Sequence, residues 1–110
     1  MIRNIDREEV KRLLGKVEKA RIVEALPEKY YEQAHIPGAL QIDYKEVAEK
    51  APSLLSDKAQ KIVVYCASSE CANSEKAART LEYLGYSNVF VYRAGKKDWI
   101  DSGYPVESSS

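Results

Sequence analysis

The sequence predicts an α/β fold in which a parallel β-sheet carries helices on both faces. Residues 62–65, Ile-Val-Val-Tyr, are apolar at every position. An unbroken apolar run is typical of a strand that is buried on both faces, as in parallel sheets. A loop of small and polar residues follows, and then an amphipathic helix with Ala78, Leu81 and Leu84 on one face. Strands that alternate with helices indicate a central parallel sheet, here of about five strands.

Before this central strand, capping residues and a proline predict three helices, at residues 6–14, 27–34 and 44–50. Asp6 and Glu9 resemble a capping box, Pro27 suits the first turn of a helix, and Asp43 can cap the third helix. Short strands are expected between these helices, at residues 20–24 and 39–42. Residues 52–58 are expected to form a loop or a short helix.

After the central strand, the order helix, strand, helix is predicted. The helix covers residues 74–84 and ends at Gly85, the strand covers residues 89–92, and Gly95 begins the turn into the last helix. The elements together form one domain over residues 1–107. Residues 108–110, three serines, are expected to be a frayed tail.

Composition excludes several classes of protein. The chain has 17 Lys and Arg residues against 17 Asp and Glu residues, so no net charge favours nucleic acid or an anionic membrane. No stretch is apolar enough to span a bilayer, and charges interrupt the first residues where a signal peptide would need an apolar run. We therefore expect a cytoplasmic protein. Two cysteines and one histidine suggest neither a disulfide framework nor a metal site, and no cofactor is expected.

The candidate catalytic residue is Cys66, which directly follows the central strand. This position lies at the carboxyl edge of the sheet, where open α/β sheets bind ligands. The loop N–H groups and the start of the next helix are expected to surround the sulfur and to favour the nucleophilic thiolate. The alternative is an inert buried cysteine. The candidate active-site loop comprises Ala67, Ser68, Ser69, Glu70, Cys71, Ala72, Asn73 and Ser74.

Four segments resemble, in order, the motifs of the rhodanese-like family. The first segment is the strand that ends at Glu24 together with His-Ile-Pro-Gly-Ala at residues 35–39, and the second is the strand at residues 63–66 that leads to Cys66. The third is the helix after the loop, with matches at residues 76–78 and 84–86. The fourth is the closing motif, with Gly95, Trp99 and residues 103–106. The resemblance implies the rhodanese-like fold and a sulfurtransferase. Cys66 would accept a sulfane sulfur as a persulfide and pass it to a thiol, a protein acceptor or another nucleophile.

The active-site loop departs from the family pattern Cys-x-x-Gly-x-Arg-Ser. If Ser74 matches the family's serine, the loop is two residues longer, and Cys71 stands at the arginine's distance from Cys66. Glu70 adds a negative charge where the family has a guanidinium that binds anions. A polysulfide or persulfide is therefore a more plausible donor than thiosulfate. Arg93 is the candidate for the positive charge that the loop lacks.

The other polar residues near these motifs have structural interpretations. Asn73 and Ser74 are expected to be helix caps, and Glu24 and His35 to hold loop and turn backbone in place. Residues 96–98, Lys-Lys-Asp, are expected to be solvated surface.

Cys71 has two interpretations, a resolving or sensing thiol and an inert filler. The first makes a second function possible, a redox-sensing or partner-binding module that uses Cys66 and Cys71. A phosphatase or arsenate reductase on the same fold is a third hypothesis. It needs an arginine six positions after the cysteine, where this chain has Ala72.

Overall fold

The computed structural model describes residues 2–109. In chain order the elements are β1 (Arg3–Ile5), α1 (Arg7–Leu13), β2 (Arg21–Glu24), α2 (Glu28–Gln33), β3 (Leu40–Gln41), a 3₁₀ turn (Tyr44–Glu46), α3 (Val47–Leu54), β4 (Ile62–Tyr65), α4 (Asn73–Tyr83), β5 (Val89–Tyr92) and α5 (Gly95–Asp101). The five strands pair in parallel in the order β1-β5-β4-β2-β3. The predicted α/β class is confirmed.

Strand β4 lies at the centre of the sheet and is buried on both faces. Ile62 and Val64 pack into the core under α3 and α4, whereas Val63 and Tyr65 pack into the core under α1 and α5. All four side chains are fully buried. The apolar run therefore has the environment that its pattern predicts, with helices on both faces of the sheet.

The first strand was not predicted, because its sequence carries no hydrophobic pattern. Residues 3–5, Arg-Asn-Ile, are exposed or half-buried and form an edge strand beside β5. Backbone pairing, which is nearly independent of side-chain type, holds this strand in place.

The prediction for residues 44–58 is wrong in its boundaries. Asp43 Oδ1 accepts a hydrogen bond from Lys45 N, but it begins a 3₁₀ turn rather than an α-helix. The α-helix starts at Val47 and continues through Pro52. Val47 and Ala51 are buried in the core on this face, so packing outweighs the hydrogen bond that a proline removes. Asp6, in contrast, caps α1 as predicted, by accepting from Glu9 N at 3.0 Å.

The carboxyl ends of the three central strands meet at one edge of the sheet. Glu24 of β2 is in register with Tyr65 of β4, and Tyr65 is in register with Tyr92 of β5. Cys66 and Arg93 follow directly, so the topology brings the candidate site together at this edge.

The chain ends fall only partly within the described residues. Ser109 N donates to Glu32 O at 3.0 Å, which gives part of the expected frayed tail a partner. Met1 and Ser110 lie outside the described residues, and fraying of 108–110 stays a prediction. Within residues 2–109, no helix has both the length and the apolar character needed to cross a bilayer, and no group of His, Cys, Asp and Glu residues is arranged to hold a metal ion.

Candidate active site

A buried network, here called the floor, is formed by Glu24, Tyr65 and Lys96 and adjoins Cys66, because Tyr65 precedes Cys66 and Lys96 N donates to Cys66 O. Glu24 is fully buried, and its two carboxylate oxygens accept from Tyr65 OH at 2.7 Å and from Lys96 Nζ at 3.0 Å. The Lys96 side chain is 11% exposed. Because each buried charge faces the other, neither has to be buried alone. Glu24 thus has a structural role, but the expectation that it holds loop backbone is wrong, because its carboxylate accepts from the side chains of Tyr65 and Lys96.

Lys96 was not expected in this place. Besides Glu24, its Nζ donates to Tyr30 O at 2.9 Å and to Ala34 O at 2.6 Å, at the end of α2. The ammonium therefore uses all three of its donors inside the protein. No periodic pattern distinguishes this lysine from exposed Lys97, so the sequence does not identify it.

The expectation that residues 96–98 form solvated surface is wrong for two of the three. Lys96 belongs to the floor, and Asp98 accepts from Tyr92 OH at 2.5 Å and from Arg7 Nη1 at 3.0 Å. Only Lys97 is exposed, where it pairs with Asp101.

Two tyrosines at this sheet edge stay neutral donors. Burial, reinforced by the neighbouring Glu24 carboxylate, raises the pKa of Tyr65 far above its ordinary value. Burial and the hydrogen bond to Asp98 raise the pKa of Tyr92 in the same direction. Tyr65 OH donates to Glu24 and accepts from Ile36 N at 3.0 Å, so it joins the floor to the turn that follows His35.

His35 stabilises the neighbouring backbone, as expected. It is buried, its ring stacks on Tyr31 with centroids 3.7 Å apart, and Nδ1 lies 2.8 Å from Tyr31 O.

The start of α5 fixes the beginning of the active-site loop. Lys96 N donates to Cys66 O and Lys97 N donates to Ala67 O, both at 2.9 Å. Gly95 makes this approach possible. Its φ is +74°, and a Cβ built there would lie 2.7 Å from Cys66 O and 2.9 Å from Ser68 N. The sequence predicted Gly95 only as the start of a turn, and the close backbone approach is the reason it has to be glycine.

The loop curls back so that Cys71 meets Cys66. Cys71 N donates to Ser68 O at 3.0 Å, and the two cysteines are joined as a disulfide with Cα atoms 6.4 Å apart. Cys66 is 1% exposed, whereas Cys71 is half-buried. In this oxidised form Cys71 lies against Cys66, and neither sulfur is a free thiol.

The predicted arrangement of N–H groups around the Cys66 sulfur stays a prediction for the reduced loop. In the oxidised loop the polar atom against Cys66 Sγ is an acceptor, the carbonyl oxygen of Cys71 at 3.3 Å.

The other loop residues occupy the following positions. Ser68 Oγ accepts from Glu70 N at 3.4 Å, and Ser69 and Glu70 are exposed. The capping prediction for Asn73 and Ser74 is wrong, because α4 already begins at Asn73. Its N-cap is Ala72, which has no side-chain acceptor, and Ser74 is buried in the first turn.

Arg93 lies outside the loop, on the exposed side of α4. Its Nη1 is 3.3 Å from Glu75 Oε2, and Arg79 pairs with the other oxygen of the same carboxylate at 2.8 Å. Arg93 is 60% exposed. Its role as a pocket charge is not tested by this position and stays a prediction.

Two depressions flank the loop, and each has a lysine in its wall. The larger, of about 460 Å³, lies between loop residues Ala67 and Asn73 and the side chains of Tyr30, Tyr44 and Lys45. The smaller, of about 300 Å³, lies beside Ser68 and Ser69 and includes Lys97. Sequence analysis missed Lys45. The available signal was its place just after Asp43, at the same carboxyl edge of the sheet.

Comparison with known proteins agrees with this geometry. A sequence model of the Rhodanese-like domain family matches residues 6–102. The chain belongs to the rhodanese-like family. The predicted family is thereby confirmed, and the rhodanese-like fold is confirmed by a crystal structure of the BH2092 protein from Bacillus halodurans. That structure superimposes with a TM-score of 0.87 at 25% identity, covering 97% of this chain and 77% of the other.

Two curated relatives of this rhodanese-like chain are named for sulfur chemistry, whereas a third, Rv0324 of Mycobacterium tuberculosis (strain ATCC 25618 / H37Rv), is named an HTH-type transcriptional regulator and is 30% identical over 81% of this chain and 38% of its own length. YrkF of Bacillus subtilis (strain 168), whose name calls it a candidate sulfur carrier protein, is 33% identical over 89% of this chain and 51% of its own length. Thiosulfate sulfurtransferase PspE of Escherichia coli (strain K12) is 36% identical over 58% of this chain and 59% of its own length. This chain thus spans about half the length of the curated relatives it matches.

Proposed function

We propose that this rhodanese-like chain is a sulfurtransferase or persulfide carrier, in which Cys66 takes a sulfane sulfur from a donor and passes it to a nucleophile. The observation that carries the proposal is the position of Cys66. It follows the buried central strand of a rhodanese-like domain, at the sheet edge where ligands bind, with its carbonyl held by α5. The sulfur names of the two relatives support the same class of chemistry.

The proposed reaction has two displacements at sulfur. The Cys66 thiolate attacks the sulfane sulfur of the donor, the donor's sulfur–sulfur bond breaks, and the donor thiolate leaves. A thiol or other nucleophile then attacks the outer sulfur of the Cys66 persulfide, and the Cys66 thiolate is released. Each step exchanges one sulfur–sulfur bond and needs no cofactor. Because the chemistry needs a reduced thiol, the cytoplasm stays the predicted compartment.

The loop favours polysulfide or persulfide donors over thiosulfate. Thiosulfate carries two negative charges, and the family binds such charge with the arginine that Cys71 replaces here. Glu70 is the charged residue among positions 67–73, and Arg93 is already paired with Glu75. Of the lysines in the depressions beside the loop, Lys97 is paired with Asp101, and Lys45 is an exposed point charge rather than a bidentate guanidinium.

A redox-sensing or partner-binding module is the second candidate, and one observation favours it. The Cys66–Cys71 disulfide leaves Cys66 without a free thiol, so oxidation alone changes the state of the site. In a pure sensor the disulfide forms and breaks without any sulfur being carried. A phosphatase or arsenate reductase lacks such support, because Ala72 replaces the arginine that those reactions need.

A steady-state transfer assay tests the proposal. Reduced Cys71→Ser protein, in which the second thiol cannot compete with the acceptor, receives polysulfide, cysteine persulfide or thiosulfate with cyanide as acceptor, and thiocyanate is measured. We expect transfer that Cys66→Ser abolishes, with a higher kcat/KM for polysulfide and persulfide than for thiosulfate. Transfer that survives in Cys66→Ser would contradict the assignment of Cys66. No transfer from any donor, with reversible disulfide formation intact in the wild type, would favour the sensor.

A further inference from the structure

We propose that Cys71 gives this site a second activity, the reduction of sulfane sulfur to hydrosulfide at the expense of an external dithiol. The inference rests on the proposed function, because it begins from a persulfide on Cys66. It differs in the fate of the sulfur, which leaves as hydrosulfide instead of passing to an acceptor.

The geometry places Cys71 as an internal attacking thiol. The Cα atoms of Cys66 and Cys71 are 6.4 Å apart, inside the range that a disulfide needs. The bond from Cys71 N to Ser68 O closes the turn that brings the second cysteine back over the first. On the other side, α5 holds the carbonyls of Cys66 and Ala67. Cys71 therefore meets Cys66 by a movement confined to the loop.

Burial favours this internal partner over an external one. In the oxidised loop Cys66 is 1% exposed and Cys71 lies against it, so a reduced loop that keeps this closed shape presents Cys71 to a Cys66 persulfide before a bulky acceptor can reach it. A nucleophile held in place reacts as if present at a very high concentration. A persulfide on Cys66 is therefore expected to meet Cys71 first.

The first step balances within the protein. The Cys71 thiolate attacks Cys66 Sγ, the bond from Cys66 Sγ to the outer sulfur breaks, and the outer sulfur leaves as hydrosulfide. The sulfane sulfur gains two electrons, and the two cysteines lose them as they form the Cys66–Cys71 disulfide.

An external dithiol completes the cycle. One of its thiolates attacks Sγ of Cys71, which is the more exposed residue of the pair, and Cys66 leaves as a thiolate ready for the next donor. The second thiol of the dithiol then attacks the mixed disulfide, which releases reduced Cys71 and leaves the dithiol as its cyclic disulfide. Overall, a persulfide and a dithiol yield a thiol, hydrosulfide and a disulfide.

A single-turnover experiment tests the proposal. Reduced protein, freed of small thiols and kept anaerobic, receives one equivalent of cysteine persulfide, and hydrosulfide and peptide masses are measured. We expect the wild type to release hydrosulfide and to end with a Cys66–Cys71 disulfide and no added sulfur. Cys71→Ser and Cys71→Ala are both expected to keep the sulfur on Cys66 and to release no hydrosulfide above the protein-free control. Dithiothreitol should reduce the disulfide of the wild type and allow a second addition of persulfide to release hydrosulfide again.

A matched control separates the position of the thiol from the number of thiols. Ser53 is exposed on α3, so Cys71→Ser/Ser53→Cys restores the second thiol far from the loop in sequence and should behave like Cys71→Ser. If the wild type keeps its persulfide while Cys71 stays a free thiol, the reductase inference is overturned and sulfur transfer stands. If no variant gains sulfur on Cys66, both the inference and the proposed function are overturned.

Discussion

The floor and the loop of the site differ in how firmly the protein holds them. In the floor, Glu24 is fully buried, and Tyr65 and Lys96 bond to both of its oxygens. In the loop, residues 67–72 are exposed or half-buried. The loop is held by two backbone hydrogen bonds from α5 to the carbonyl oxygens of Cys66 and Ala67, by the hydrogen bond from Cys71 N to Ser68 O and by the disulfide. The floor thus sets where Cys66 stands, and the loop sets what reacts with it. Changes in the floor should lower stability, and changes in the loop should alter chemistry alone.

Removing the ammonium of Lys96 from the floor should lower the free energy of unfolding more than any other change considered. Lys96→Met leaves Glu24 buried without its ion pair and takes the donor from the carbonyl oxygens of Tyr30 and Ala34. Breaking a buried pair in this way costs roughly 3–5 kcal/mol of the free energy of unfolding. The control Lys97→Met removes an exposed pair with Asp101 and should cost less than about 1 kcal/mol. Urea unfolding of both variants makes the comparison.

The double variant Lys96→Met/Glu24→Gln sharpens the same test. Because it removes both charges, it should recover part of the stability lost in Lys96→Met. Equal stability of Lys96→Met and Lys97→Met would mean that the floor is not held by its charges.

Gly95→Ala should be the next most damaging change, and Gly103→Ala is its control. Both glycines have positive φ, +74° and +80°, so alanine brings similar backbone strain of about 1–2 kcal/mol at each. Only at Gly95 would the new Cβ also press on Cys66 O and Ser68 N, since nothing lies within 4 Å at Gly103. Gly95→Ala should therefore lose more stability and also sulfur transfer, whereas Gly103→Ala keeps transfer. Thermal unfolding and the cyanide assay measure the two effects. Similar losses in both variants would refute the close approach.

Tyr65→Phe should have a moderate effect on stability. It leaves one oxygen of Glu24 and the N–H of Ile36 without their partner, which costs about 1–3 kcal/mol. Tyr83 is 89% exposed, and Tyr83→Phe should change stability by less than about 0.5 kcal/mol. Denaturant midpoints of the pair test the contribution of the hydroxyl.

The same variant should alter the dependence of stability on pH. Burial raises the pKa of Tyr65, so the folded protein keeps a proton that the unfolded chain loses above about pH 10. The unfolded state then binds fewer protons, and stability falls as pH rises. Tyr65→Phe should remove about 1.4 kcal/mol per pH unit of this fall. If the free energy of unfolding of Tyr65→Phe fell with pH between 10 and 11.5 as steeply as that of the wild type, the pKa of Tyr65 would not be raised by folding.

Loop substitutions should change donor choice with little change in stability. Cys71→Arg and Glu70→Gln both add positive character beside Cys66, so kcat/KM for thiosulfate should rise relative to persulfide. The gain should be larger for Cys71→Arg, which also restores a guanidinium. The free energy of unfolding, measured under reducing conditions, should move by less than about 0.5 kcal/mol. A thiosulfate preference already present in the wild type would point to another cation, such as Arg93, Lys45 or Lys97.

The sequence predicts the core elements well, because their side chains carry the pattern. The apolar run at Ile62–Tyr65 requires burial on both faces, and Asp6 caps α1 by local geometry alone. Edge strand β1 and the helix through Pro52 escape prediction, because backbone pairing and tertiary packing stabilise them.

The site is predicted less completely than the fold. The position of Cys66 follows from strand order, but the role of Lys96 depends on three partners that lie 62 to 72 positions away along the chain. The lack of space for a side chain at Gly95 depends likewise on the backbone of Cys66 and Ser68, which is distant in sequence. Local patterns carry no information about such contacts.

Peptide mapping of Cys71→Ser after exposure to cysteine persulfide tests the central claim most directly. This variant cannot form the disulfide that removes the free thiol of Cys66, so any sulfur that Cys66 accepts should remain there. The account predicts that the peptide containing Cys66 gains the mass of one sulfur atom, that cyanide removes it as thiocyanate, and that Cys66→Ser gains nothing. A reduced and folded Cys71→Ser protein whose Cys66 peptide gains no sulfur from persulfide or polysulfide would contradict it.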